Sequence, residues 1–124
     1  MPRSTLGQCS PGLNPRVKVW LETEGCYVFG FGLAQMLQAV DRTGSIKEAA
    51  AELGKSYRYV WGRIKEGEKS LGMALVDARV GGAGTSRSFL TPAARKLTAD
   101  FLSLRRRMSV IVGKEFAKSF RQPA

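Results

Sequence analysis

Three glycines punctuate the middle of this 124-residue chain and constrain its fold more tightly than any other feature. Gly44, Gly54 and Gly72 each end a run of helical periodicity, and at Gly44 glycine suits the left-handed residue that closes a helix. Before Gly44, Leu33, Met36, Leu37 and Val40 fall at i, i+3, i+4 and i+7, the apolar face of a first helix. Ser45 then caps a second helix, with Glu48 placed to complete a capping box and Ile46, Ala49, Ala50 and Leu53 facing inward. Ser56 caps a third helix that runs to about Ser70, with Val60 and Ile64 inward.

The second and third of these helices meet the requirements of a helix-turn-helix residue by residue. The first member needs a small residue where the second crosses it, and Ala50 is there. Gly54 tolerates the positive φ of the turn. Val60 and Ile64 supply the inward face of the second member, and Leu53 closes the pocket between the two.

The flanks read as β structure. Arg16–Glu22 alternates, with Val17, Val19 and Leu21 on one side, and predicts a half-buried strand. A turn at Glu24-Gly25-Cys26 leads to a short strand over residues 27–29. Beyond Gly72, residues 74–80 predict a strand, 81–86 a glycine-rich tip and 87–90 the returning strand. Thr91 followed by Pro92 is a helix-start signal, and the last helix continues to about Phe120. The expected fold is mainly α with small β hairpins: a winged helix-turn-helix with a long C-terminal dimerisation helix. The boundaries are a mobile arm 1–15, a DNA-binding domain 16–91, a dimerisation helix 92–120 and a tail 121–124.

Charge points to the partner. With 20 Lys and Arg against 10 Asp and Glu the net charge is +10, and the first 41 residues are neutral in sum. A polyanion-facing surface must therefore come from Arg42 onward. The absence of histidine excludes Ser-His-Asp and Cys-His catalysis and His-ligated zinc. Cys9 and Cys26 fit neither a zinc site nor a redox motif and read as free thiols. Glu22, Glu24 and Asp41 are better placed as solvated turn residues than as paired catalytic acids. No cofactor, metal or catalytic residue is expected, and the chain reads as a binder, not an enzyme. With no bilayer-length apolar run and no secretory signal, a cytoplasmic location is expected.

A recognition helix reads bases from its N-terminal turns, which makes Ser56, Tyr57, Arg58, Trp61, Gly62 and Lys65 the candidate contacts to double-stranded DNA. Trp61 divides between core and groove, with the inward placement preferred, and Tyr59 is expected to pack. Ser45 and Lys47 open the preceding helix, where amide N–H groups favour a phosphate. Arg79, Thr85 and Arg87 flank or form the wing tip. A phosphate-cradling nucleotide loop is excluded there, because a strand, not a helix opening on Lys-Ser or Lys-Thr, follows the glycines.

In the last helix Leu97, Phe101, Leu104, Met108 and Ile111 recur at spacings of 4 and 3, a heptad seam. A helix of about 29 residues would be about 43 Å long, against a radius of gyration of about 14 Å for a compact chain of this length. It is expected to project and pair with the same helix of a second subunit. The Arg105-Arg106-Arg107 run flanks the seam as a solvated face; a membrane-bound helix would leave the wing idle.

The stretches GSIKEAAAELGKSYRYVWGRI and LVDARVGGAGTSRSFLT, within residues 44–91, resemble the DNA-binding half of the ModE family of molybdate-responsive transcription regulators, relatives of the LysR-type winged helix-turn-helix. The likeness extends over about residues 16–110. Lys55, Leu33 and Ala94 depart from the residues usual in that family. The resemblance implies a homodimer on a pseudo-palindromic operator, with half-sites about 34 Å apart per helical turn. Relatives carry C-terminal oxyanion-binding domains whereas this chain ends at Ala124, so direct molybdate binding is not expected. The resulting expectation is a sequence-specific, homodimeric transcription regulator in molybdate-related gene control. The alternatives are a weakly specific architectural DNA binder or a protein-interaction module using the long helix.

Overall fold

The computed structural model describes residues 12–80 and 86–120. They form two compact units, residues 19–103 and residues 12–18 with 104–120. The elements are β1 (Trp20–Thr23), β2 (Cys26–Gly30), α1 (Phe31–Thr43), α2 (Ile46–Leu53), α3 (Tyr57–Leu71), β3 (Val76–Val80), β4 (Ser86–Leu90) and α4 (Pro92–Ser119). β1 pairs with β2 and β3 with β4, each pair an antiparallel hairpin. This is the mainly helical, two-hairpin architecture that the sequence predicts.

The first strand is shorter than its alternation suggests. Residues 16–19 carry no regular secondary structure, and Val17, expected inward, is exposed. The partner sets the limit: pairing runs from Thr23↔Cys26 to Trp20↔Gly30, and the next residue, Phe31, already begins α1. Alternation marks which residues could line a sheet, but a strand needs backbone beside it. The hairpin turns on Glu24 (φ 52°) and Gly25 (φ 80°), the two positive-φ residues of a two-residue loop whose twist matches the strands. A register shift between Leu21 and Glu22 leaves one extra residue in β2. Beside it, consecutive residues Val28 and Phe29 are both buried.

The core of the 19–103 unit gathers Phe29, Leu33, Leu37, Val40, Val60, Ile64, Leu75 and Phe101. All four residues of the α1 stripe are buried, as are Ala49, Ala50, Val60 and Ile64 of the helix-turn-helix. Gly44 and Gly54 close their helices at φ 76° and φ 68°, the left-handed region where a side chain is strained. Gly67 is required for a different reason. A Cβ there would lie 2.8 Å from Leu33 Cδ2, so α3 approaches α1 only because that position has no side chain.

Thr91 Oγ1 accepts from the Ala94 N–H at 3.1 Å and donates to the Ala74 carbonyl at 2.8 Å. It thereby caps α4 and ties it to the segment leading into β3. The first turns of α4 pack inward through Ala94, Thr98 and Phe101, and Phe101 stands edge-on to Phe29 with ring centroids 5.2 Å apart. Here the expected dimer seam needs correction. Phe101 is 2% exposed and belongs to the core, and Leu97 packs against that core half-buried. A 4-3 spacing looks the same in sequence whether the apolar face meets its own domain or a second helix. Within the other unit, Leu104 and Met108 are half-buried and Ile111 is exposed, while the Phe116 and Phe120 rings stack at 4.7 Å.

Candidate nucleic-acid interface

Helix α3 is built as two unlike faces. Val60, Ile64 and Gly67 are buried, whereas Arg58, Trp61, Lys65 and Lys69 are exposed, with Gly62 half-buried among them. Positions 58, 61, 62, 65 and 69 recur at helical spacing and share the outward stripe. These positions carry three cations, and exposed Glu66, one turn beyond Gly62, is the acid on the same side of the helix. Arg58 and Lys69 make no ion pair among the described residues, and Lys65 meets Glu68 at 3.2 Å.

Trp61 and Tyr59 both require correction. Trp61, expected inward, is 43% exposed with Lys65 Nζ 5.7 Å from its ring centroid. The inward stripe of α3 is already filled by Val60 and Ile64, and one step of about 100° from Val60 carries Trp61 off it. Tyr59, expected to pack, is 45% exposed. Its hydroxyl accepts from Arg63 at 3.3 Å. Burial works against the Arg63 charge, but the hydroxyls of Tyr59 and Tyr27 outweigh it and hold the guanidinium pKa above its ordinary value. Arg63 is thus engaged on the flank of α3.

The N-terminal ends are capped by side chains. Ser56 Oγ accepts from the Tyr59 N–H at 3.0 Å, which fixes the start of α3 and leaves Tyr57 and Arg58 exposed. At α2, Ser45 Oγ accepts from the Glu48 N–H at 3.1 Å. The returning half of the expected capping box is filled otherwise, because the Ser45 N–H donates to Thr43 Oγ1 at 3.3 Å. Lys47 is exposed in the first turn of α2.

The wing docks where these helices meet. The Ser88 N–H donates to the Gly44 carbonyl at 2.9 Å, and the Arg87 guanidinium lies directly over Gly44, 2.6 Å from where a Cβ would stand. Arg87 also covers the Phe89 ring at 5.5 Å. In the β3–β4 register Arg79 stands opposite Arg87. Thr85 and the wing tip, like Cys9 in the arm and the tail 121–124, lie outside the described residues. Cys26 is exposed as a free thiol.

The three residues weighed as acids are engaged elsewhere. Trp20 Nε1 donates to Glu22 at 2.8 Å, Arg95 bonds Asp41 at 2.8 Å, and Glu24 sits in the hairpin turn. No group of three or more possible metal ligands occurs among the described residues. None of their helices is long and apolar enough to cross a membrane.

The pattern of the bacterial regulatory helix-turn-helix proteins of the lysR family matches residues 31–95, from the start of α1 into the first turn of α4. The chain belongs to the LysR family. Among curated relatives, it is 36% identical over 95 residues to the molybdenum-pterin-binding protein MopB of Rhodobacter capsulatus, an alignment covering 77% of this chain and 33% of that protein. It is 38% identical over 72 residues to the molybdenum transport protein ModE of Herbaspirillum seropedicae, covering 58% and 27%. The chain thus spans a third or less of the length of these relatives, and they bear out the resemblance carried by residues 44–91. A crystal structure of a BenM_DBD/benA site 1 DNA complex aligns with a TM-score of 0.53 at 18% identity, covering 73% of this chain and 97% of that one. That likeness is one of fold, the winged helix-turn-helix.

Within this LysR-type fold, two residues escape a reading by periodicity. Glu68 Oε2 accepts from the N–H groups of Leu75 and Val76 at 2.8 and 3.2 Å. Burial alone would raise its pKa, but these two donors and Lys65 lower it below the ordinary value. The carboxylate fastens the end of α3 to the start of the wing, and nothing about an acid on a basic helix signals that from sequence. Lys69 extends the cationic stripe one turn past Lys65, and the i+4 spacing was available to find it.

Proposed function

We propose that this LysR-family chain binds specific sequences of double-stranded DNA as a homodimeric transcription regulator, in the control of molybdenum-related genes. The outward stripe of α3 carries the proposal: Arg58, Trp61, Gly62, Lys65 and Lys69, three cations on the helix that a helix-turn-helix lays in the major groove. In this reading Ser56 and Tyr57 lie at the groove entrance. Ser45 and Lys47 at the start of α2 meet a phosphate, and Arg79, Thr85 and Arg87 of the wing engage the backbone.

Pairing of two copies is supported by α4, where Val110 and Ile111 are 55% and 48% exposed beside Arg106 and Arg107. Since Leu97 and Phe101 serve the chain's own core, the proposed contact uses Leu104, Met108 and Ile111 together with Val110. The molybdenum connection is supported by the names and 36–38% identity of MopB and ModE.

Fluorescence anisotropy tests the proposal, with the purified protein on its own upstream intergenic DNA and on a scrambled duplex, at low and physiological salt. Tighter binding to the native fragment at physiological salt is expected, with log K falling in proportion to the phosphates contacted, about 6–10. Equal binding that vanishes with salt would replace the regulator with an architectural binder. Molybdate titrated into the same samples tests whether the oxyanion itself acts on this chain as an effector.

A further inference from the structure

Helix α3 contains two glycines, and the fold accounts for only one of them. Gly67 is required by the buried Leu33, whose Cδ2 would lie 2.8 Å from an added Cβ. At Gly62 an added Cβ would meet nothing within 4 Å. A glycine inside a helix weakens it, so a bare position that internal packing does not demand calls for a body approaching from outside. Gly62 lies in the outward stripe, immediately beside Trp61.

Trp61 has a specific chemistry to offer there. Its indole presents an apolar face and a single N–H donor, and it has no acceptor. Among the described residues Nε1 makes no hydrogen bond. Of the four bases, only thymine shows a methyl group next to a lone acceptor, O4, on its major-groove edge. Cytosine presents an N–H₂ donor, which the indole cannot accept, and adenine and guanine present acceptors without a methyl. An exposed tryptophan between Arg58 and Lys65 therefore matches one base better than the others.

We propose that Trp61 reads a thymine in the major groove, its ring against the C5-methyl and Nε1–H donating to O4, with Gly62 leaving the space for the base edge to approach. The inference rests on the DNA-binding function proposed above. Lys65, over the indole ring, supplies a charge that draws the backbone without selecting a base.

The test begins with a duplex enriched by the wild-type protein from a randomised pool. Each thymine of that duplex is replaced in turn by deoxyuridine, which removes the methyl and nothing else. At one thymine per half-site the wild type is expected to lose about fourfold in affinity, the worth of one buried methyl group. Trp61→Ala is expected to bind the parent duplex more weakly, to lose nothing further at that thymine, and to keep the wild-type salt dependence and melting temperature, since the residue is exposed and uncharged. If deoxyuridine costs the wild type nothing at any thymine, or costs Trp61→Ala equally, the thymine reading is wrong while sequence-specific binding stands. If the pool yields no enriched sequence, the proposed function falls and this inference with it.

Discussion

Glu68 offers the sharpest test of how α3 and the wing are held together. Its side chain is 16% exposed, and its Oε2 is the acceptor for the N–H groups of Leu75 and Val76. Leu75 is fully buried. Glu68→Ala would leave both donors without that acceptor at the point where the chain enters β3. An orphaned buried donor costs about 1–3 kcal/mol. The half-exposed Lys65 partner adds little, about 0–1 kcal/mol for a surface pair. The expected loss is about 2–4 kcal/mol, a large part of the 5–15 kcal/mol typical of a domain, with a fall in Tm of roughly 10 °C or more. Glu68→Gln keeps an acceptor oxygen and loses only the assistance of the charge, about 1 kcal/mol.

The same site fixes a pH dependence. The folded carboxyl titrates below its ordinary value of 4.5, so its contribution is full above that value and is lost as the pH falls through the folded value. Urea unfolding of the three proteins between pH 7 and pH 3 measures both effects. Stability of the wild type should decline on the acid limb, and Glu68→Gln should flatten that decline. An Ala variant within about 0.5 kcal/mol of wild type at pH 7, or identical acid limbs for wild type and Gln, would refute the account.

Three further outcomes follow from the packing. Gly62→Ala should stabilise the fold by about 0.5–1 kcal/mol through helix propensity and weaken DNA binding, whereas Gly67→Ala should destabilise it by about 1–2 kcal/mol through overpacking against Leu33; thermal melts beside anisotropy separate the two. Thr98 is buried in α4 with an Oγ1 that has no hydrogen-bond partner among the described residues, so Thr98→Val should raise stability by about 1 kcal/mol in chemical denaturation. Ile111→Asp should leave the melt of the 19–103 unit intact and halve the mass seen by light scattering; an unchanged mass would remove Ile111 from the proposed pairing.

Much of this protein was determined by its sequence alone. The glycines at 44, 54 and 72, the capping serines and the Thr91-Pro92 step act within a few residues, so helix order and boundaries were legible without a tertiary structure. The same holds for the inward residues Ala50, Val60 and Ile64, since one helix-turn-helix geometry satisfies their spacing. The cationic character of the second two-thirds needed only counting. Tertiary structure decided whatever depended on a partner distant in sequence. Residues 16–19 alternate like a strand, but β2 ends before it can pair with them. Phe101 repeats like a coiled-coil residue, but Phe29 claims it for the core. Trp61 is apolar enough for the interior, yet Val60 and Ile64 already occupy the inward face of α3, so the indole stands outside. Glu68 looked like one more surface charge until the wing brought two backbone donors to it. Local signals select conformations of a short segment, whereas burial and hydrogen-bond satisfaction are settled only when the segments compete for the same interior space.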